Sequence, residues 1–260
     1  MRGRGSGRVG GTGIVHLRIA HVYPAHMNLY GDRGNVLALT RRAEWRGWTV
    51  EVVEVNPGQP VDLAAIDLLF LGGGEDAHQA LIAEDFVRRG ADVRAALADG
   101  LPALAVCGAF QLLGVSYETA QGTVLAGVEW FDMVTRAGPD RAIGDVVVET
   151  SLAVTPRTLV GFENHGGRTW LSAGETPLGR VVAGRGNNGQ DGTEGAVRQR
   201  TIGTYLHGSL LPKNPQLTDW LLRQAQAHRT GSEDLEPLEA DWELAAHDAM
   251  VERTRRGRHG

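Results

Sequence analysis

The chain of 260 residues contains one cysteine, and the residues around it are those a nucleophile would need. Residues 101–106 (LPALAV) form a short apolar run of the kind that makes a buried strand, and residues 110–113 (FQLL) begin an apolar helical pattern. The turn between them is Cys107-Gly108. A cysteine on a sharp strand-to-helix turn is lifted above the sheet with its sulfur presented outward. The helix N-terminus behind it favours an anion, hence the thiolate. The backbone N–H groups of the same turn point to where an oxyanion would form. The competing reading is a free cysteine acting as a small buried hydrophobe, which is common for a lone cysteine but less so at such a turn.

A thiol nucleophile needs a base. Residues 201–208 (TIGTYLHG) read as a second buried strand that ends in His207. In an open α/β sheet, ligands collect beyond the carboxyl ends of the strands, which places Cys107 and His207 at the same edge. A third strand, residues 66–71 (IDLLFL), runs into Gly72-Gly73-Gly74 followed by Glu75 and Asp76. Consecutive glycines allow close backbone approach and offer N–H donors, so Gly73 or Gly74, with Gly108, are the expected oxyanion donors. Gln111 follows one turn into the elbow helix, where it would contact substrate or cap the helix.

A strand ending in GGGED, then a VCGAFQ elbow, then a strand ending in YLHG resembles, in that order, a class I glutamine amidotransferase domain of the cobyric-acid-synthase-like branch. Upstream, YP…MNLYGDRGN (residues 23–35) is similar to the start of one subfamily, the glutaminase subunits of lipid II isoglutaminyl synthases. On residues alone, Asp32, Arg33 and Asn35 in that stretch could simply satisfy a βα turn. Two later segments repeat the resemblance: Arg141 before IGD, and GFENHGGRT from Gly161 to Thr169. The resemblance assigns Arg141 to substrate binding, and a guanidinium fork suits the α-carboxylate of glutamine. Asn164 and His165 are expected to line the site, His165 as a positioning residue within a polar loop and second choice as base.

Stepping from these residues to the elements that carry them, the length suits one large α/β domain with appendages. The expected fold is an open, mostly parallel sheet flanked by helices, in the class I glutamine amidotransferase (flavodoxin-like) form. A hydrophobic fraction of 42% is enough for a substantial core. Residues 1–14 are glycine- and arginine-rich and are expected to be a disordered tail, without the apolar centre of a secretory signal. Residues 15–230 would form the amidotransferase domain. Strands are expected over 15–23 and 49–55, with a helix between them capped through Asn35, one amphipathic helix over 84–97, and a last long helix over 217–229. The glycine-rich segment 184–195 reads as a mobile hairpin or lid near His207. Residues 231–260 are acidic and then basic, a partly ordered extension in which Trp242 would dock on the core or on a partner, with the terminal arginines as solvated tails.

The net charge of −5 offers no basic field for nucleic acid. No apolar run approaches the roughly 18–20 residues of a membrane span. A single cysteine rules out an internal disulfide framework and suits a cytoplasmic protein. No Cys/His set has metal-ligand spacing, and no Walker-type sequence is present, so no metal and no cofactor are expected in this chain.

The resemblance implies hydrolysis of L-glutamine, for which these residues would supply a thioester on Cys107, with His207 moving the proton and ammonia released. The resemblance implies that a Mur-ligase-like partner holds ATP, Mg²⁺ and lipid II. That partner would amidate the α-carboxylate of D-glutamate in peptidoglycan precursors, at the inner membrane face through the lipid-linked substrate. His207 is followed by Gly208 and Ser209, where most class I domains carry a carboxylate two residues on. The resemblance implies that the ligase partner supplies that acid; Glu163 or Glu194 would be alternatives within the chain. The rival readings are another acceptor such as a corrinoid carboxylate, a stand-alone cysteine hydrolase, and a non-catalytic scaffold.

Overall fold

A computed structural model describes residues 15–28, 32–74 and 76–257. The expectations for the first fourteen residues, for Leu29, Tyr30 and Gly31, for Glu75 and for the final arginine at 258 lie outside the described residues.

Two sheets share the chain. The first has the order β11-β12-β4-β3-β1-β2, built from β1 (His16–Val22), β2 (Thr49–Val55), β3 (Leu68–Leu71), β4 (Ala103–Val106), β11 (Ala196–Arg198) and β12 (Thr201–Thr204). All its pairings are parallel except that of edge strand β11 with β12. Strands β3 and β4 are apolar at every position and buried at every position, as central strands covered on both faces must be. Edge strand β2 alternates Val with Thr and Glu and is largely exposed. The helices α1 (Arg33–Glu44), α2 (Asp76–Arg88), α3 (Gly90–Ala98), α4 (Gly108–Leu112), α5 (Leu210–Lys213), α6 (Pro215–Thr230) and α7 (Asp241–Arg256) complete the chain. This is the α/β architecture expected from the sequence.

Several local expectations are corrected. Helix α1 begins at Arg33, and Asn35 lies inside it; the Asn35 side chain accepts the Leu211 N–H at 2.9 Å, tying α1 to α5. The single helix expected over 84–97 is two, α2 and α3, separated at Arg89. Helix α6 has the ends its sequence calls for: Pro215 in the first turn, and Gly231 at φ 77° closing onto the Ala227 carbonyl at 2.9 Å.

The second sheet has the order β10-β9-β7-β5-β6, with β8 on β7. Its centre is a long antiparallel hairpin of β7 (Met133–Thr150) and β8 (Thr158–Leu171), flanked by β5 (Ser116–Glu118), β6 (Val124–Ala126), β9 (Gly179–Ala183) and β10 (Thr193–Glu194). Its polar, glycine-rich strands hide the alternation a sequence reader looks for, and the register shifts between Ala137 and Ala142. The segment from Gly161 to Thr169 is therefore strand, not loop.

The C-terminal segment is also more regular than expected. Asp241 and Glu243 sit in the first turn of α7 and Arg253, Arg255 and Arg256 in the last, the charge order that suits a helix dipole. His247 anchors the helix, with Nε2 2.9 Å from Thr158 Oγ1 and Nδ1 2.9 Å from the Lys213 carbonyl. Val251 packs with Val147 and Val160 of the hairpin and with Ala183 of β9. Trp242 does not dock on the core: it is 88% exposed.

Candidate active site

Strands β12, β4, β3 and β1 are consecutive in the first sheet, and all run the same way. Their carboxyl ends therefore lie side by side. The tip of β4 carries Cys107, the segment after β12 carries His207, β3 leads into Gly72–Gly74, and the segment after β1 leads to Asp32. Four stretches far apart in sequence meet at one edge because the parallel crossovers bring them there.

Cys107 sits at the elbow with φ 52° and ψ −107°, a backbone conformation that costs a non-glycine residue on the order of 1–3 kcal/mol. Its N–H donates to the Thr204 carbonyl at 2.8 Å and its carbonyl accepts from Gln111 N at 3.0 Å, so strand β12 and helix α4 both hold the turn. The residue is 8% exposed. Gly108 follows because a Cβ there would come within 2.4 Å of Gln79 Nε2.

His207 is fully buried, and its backbone is clamped to the long hairpin: its N–H donates to the Phe162 carbonyl at 2.8 Å and its carbonyl accepts from Phe162 N at 3.2 Å. Burial alone would lower the imidazole. The charge of Cys107, with the Asp32 carboxylate, outweighs it and pushes His207 up to about 10. At neutral pH the ring is therefore an imidazolium beside the sulfur.

Asp32 is the residue that sequence reasoning missed. Its Oδ1 lies 3.7 Å from His207 Nδ1, an ion-pair distance longer than a hydrogen bond, and both side chains are fully buried. Its Oδ2 accepts the Gly73 N–H at 2.6 Å. A carboxylate of this chain other than the two alternatives Glu163 and Glu194 therefore faces the histidine. The two in-chain candidates are placed elsewhere. Glu163 accepts from Arg185 N at 2.8 Å and Gly186 N at 3.0 Å. Glu194 accepts from Thr204 Oγ1 at 2.6 Å and Tyr205 N at 2.8 Å, and burial pushes it up to about 7. The available signal for Asp32 was topological: the segment after the first strand must open onto the same sheet edge as the elbow.

The glycine segment is close to both partners. A Cβ on Gly73 would lie 2.7 Å from His207 Cε1 and 3.2 Å from Cys107 Cβ. Because its N–H is taken by Asp32, Gly73 does not offer that donor to an oxyanion in this arrangement. Gln79, also unforeseen, holds the two segments together: its Nε2 donates to the Gly74 carbonyl at 3.0 Å and to Gln111 Oε1 at 3.1 Å.

The remaining expected site residues form networks of their own. The Gln111 amide bridges Gln79 and the Tyr205 hydroxyl, the latter at 3.1 Å, rather than capping α4. His165 stacks on Tyr205 with ring centroids 3.8 Å apart, and its Nδ1 lies 2.8 Å from the Gly167 carbonyl. Burial lowers His165 despite Glu163 nearby, so it is a neutral core ring on β8. Arg141 donates through Nε to Asn164 Oδ1 and through Nη2 to the Asn164 carbonyl, both at 3.0 Å; these bonds run only between the two residues. The segment 184–195 is no loose lid. Asn187 is fully buried, donating to the Gly195 carbonyl at 3.0 Å and accepting the Gly195 N–H at 2.8 Å, while Asn188 donates to the Thr169 carbonyl at 3.0 Å.

A buried cysteine on a strained elbow, paired with a histidine from a neighbouring parallel strand, defines a class I amidotransferase-type site. Residues 18–215 match the model of the CobB/CobQ-like glutamine amidotransferase domain, and the chain belongs to that family. Among its relatives, the lipid II isoglutaminyl synthase (glutamine-hydrolyzing) subunit GatD of Staphylococcus aureus (strain N315) is 41% identical, over 92% of this chain and 97% of that protein. The subunit of the same name from Streptococcus pneumoniae (strain ATCC BAA-255 / R6) is 37% identical over 84% of this chain and 83% of that one. The cobyric acid synthase of Pelotomaculum thermopropionicum is 33% identical, but over 59% of this chain and only 31% of its own length. Among solved structures, a glutamine amidotransferase from Thermotoga maritima aligns with a TM-score of 0.53 at 17% identity, covering 94% of this chain and 97% of the other. The glutaminase domain of Trypanosoma brucei CTPS gives a TM-score of 0.54 at 12% identity, covering 85% and 96%. These two likenesses concern the fold.

Proposed function

We propose that this chain is the glutamine-hydrolysing subunit of a lipid II isoglutaminyl synthase. The observation that carries the proposal is the 41% identity to a subunit of that name across 97% of its length, in a chain whose Cys107 and His207 meet at one sheet edge. The Cys107 thiolate attacks the side-chain amide carbon of L-glutamine, and the oxyanion forms against the Gly74 and Gly108 N–H groups. One such donor contributes roughly 3–4 kcal/mol to the transition state. The carbon–nitrogen bond then breaks as the His207 imidazolium gives its proton to the leaving nitrogen, and ammonia departs. A water molecule, deprotonated by the now neutral His207, attacks the thioester, releasing glutamate and restoring the thiolate–imidazolium pair. Arg141 would take the α-carboxylate of glutamine, exchanging its bonds to Asn164 for a carboxylate fork.

In this reading the ammonia passes to a Mur-ligase-like partner that holds ATP, Mg²⁺ and lipid II and amidates the D-glutamate α-carboxylate. The protein works in the cytoplasm at the membrane face where that substrate lies; among the described residues no helix is long and apolar enough to cross a membrane. A corrinoid acceptor is the weaker reading, since the cobyric acid synthases match over only about a third of their length, as the 31% coverage of one shows.

The test is ammonia release from glutamine by the chain alone and with the ligase subunit, followed by amidation of lipid II. Cys107-dependent release together with lipid II amidation supports the proposal. Amidation of a corrinoid acid instead would replace it, and no glutamine hydrolysis under either condition would end it.

A further inference from the structure

The glycine segment after β3 runs beside the elbow, where a Cβ on Gly73 would lie 3.2 Å from Cys107 Cβ. The β3–β4 ladder ends at the Leu71–Ala105 pair, so the sheet itself does not hold the glycines against the elbow. We propose that Gln79 does so, as a positioning residue for glutamine hydrolysis: its amide ties the Gly74 carbonyl to the elbow helix and, through Gln111 and Tyr205, to the second sheet. This role rests on the reading of Cys107 as the nucleophile that attacks glutamine.

Gln79 lies near the start of α2 and is 2% exposed; its Nε2 donates to the Gly74 carbonyl at 3.0 Å and to Gln111 Oε1 at 3.1 Å. Its side chain also lies against the elbow: a Cβ on Gly108 would come within 2.4 Å of Nε2, 2.8 Å of Cδ and 3.0 Å of Cγ. One amide therefore touches both segments whose N–H groups would face the oxyanion. It is not a helix cap. The first turn of a helix has unpaired N–H groups and calls for an acceptor, whereas Gln79 donates, and to a carbonyl that precedes the helix.

The donor directions follow from that carbonyl. A carbonyl only accepts, so Nε2 of Gln79 faces Gly74 and meets Gln111 through its oxygen. Gln111 then turns its own Nε2 to the Tyr205 hydroxyl at 3.1 Å, and that hydroxyl lies 2.6 Å from Thr169 Oγ1 on β8. Gln111, Tyr205 and Thr169 are all buried. The position of the glycine segment is thus set against the second sheet as well as against the elbow. The Gln79 Oε1 is buried without a hydrogen-bond partner among the described residues. A hydrocarbon side chain of the same length would avoid that unpaired acceptor, so packing alone does not call for an amide here. What the amide adds is the pair of bonds that its Nε2 donates.

Gln79→Met keeps the length of the side chain and removes both donated bonds. With the full chain and the ligase subunit together, kcat for glutamine hydrolysis should fall about 10- to 100-fold while KM stays within about threefold. Alkylation of Cys107 by iodoacetamide should stay within about twofold of the wild-type rate, because substitution at a saturated carbon forms no oxyanion. A general loosening of the elbow would change both rates together. Tyr205→Phe keeps the ring stacked on His165 and removes only the hydroxyl; kcat should fall about three- to tenfold, again with alkylation unchanged. Adding Tyr205→Phe to Gln79→Met should cause little further loss, since the chain of bonds is already broken. Wild-type kcat in Gln79→Met, or alkylation that falls in step with kcat, overturns the proposal. If Gln79→Met does not fold, Tyr205→Phe decides alone: a selective fall in kcat supports the proposal and wild-type kcat overturns it. Wild-type protein that does not hydrolyse glutamine is a separate failure, which ends the functional reading, and this role with it, before any variant is compared.

Discussion

The edge of the parallel sheet and the long β7–β8 hairpin are both rich in polar residues, but they use them differently. At the edge, Cys107, His207 and Asp32 come from three separate strand ends, and their side chains face one another in a buried space. On the hairpin, polar groups are answered by neighbours at hand: Arg141 by Asn164, His165 by Gly167, and Thr135 by Thr169 at 2.7 Å. The first arrangement holds charge that chemistry can draw on, and the second removes polar groups from play by satisfying them. Burial and polarity alone therefore do not mark a reacting group. What marks it is a charge balanced by another charge from a distant part of the chain, beside a strained backbone.

Substitutions that separate the two regions test this contrast. The largest effect should come from Cys107→Ala, which removes the nucleophile; glutaminase activity should drop by roughly 10⁴-fold or more in a protein with an unchanged circular dichroism spectrum. Persistent activity would move the chemistry away from the elbow altogether. Gly73→Ala should cost about 10²-fold in kcat, because the new methyl carbon would lie 2.7 Å from His207 Cε1 and must displace the ring. A fully active Gly73→Ala protein would show that the ring position is not critical.

Glu194, on the hairpin's side of the molecule, should reveal itself in stability rather than in catalysis. Burial raises it from the ordinary 4.5 to about 7, so the folded protein prefers the protonated acid. Its contribution is present below pH 4.5 and is lost as pH rises through about 7. The wild type should therefore lose on the order of 3 kcal/mol more than Glu194→Gln between those limits, read by urea unfolding at a series of pH values. Parallel pH profiles for the two proteins would contradict this. The smallest effect is expected for Arg141→Ala: KM for glutamine should rise about tenfold with kcat nearly constant, the signature of a binding contact. An unchanged KM would leave Arg141 as a hairpin residue paired with Asn164 and nothing more.

The parts of the fold that were legible in the sequence share a physical cause. Strands β3 and β4 are continuous apolar runs because both faces are covered, and the elbow is recognisable because a strand, a cysteine, a glycine and a helix follow one another within a few residues. Strand β8 was not legible: Asn164, Gly166 and Gly167 interrupt the pattern, and its strand character rests on pairing with β7. Segment 184–195 looked loose because it is glycine-rich, yet Asn187 and Asn188 bind it internally, a property of side chains folding back rather than of composition.

By itself the sequence singled out Cys107, His207 and the glycine segment, because each is announced by its own neighbours along the chain. Only the tertiary structure brought Asp32 to the same edge. Asp32 stands 75 positions before Cys107 and 175 before His207 in the numbering, inside a polar segment whose local reading is a turn. Nothing nearby in the chain shows that it is buried, that one oxygen takes the Gly73 N–H, or that the other faces His207. That knowledge comes from the order β12-β4-β3-β1, which sets four distant strand ends side by side. A charge–charge contact across such an edge is a property of the sheet, and no local pattern encodes it.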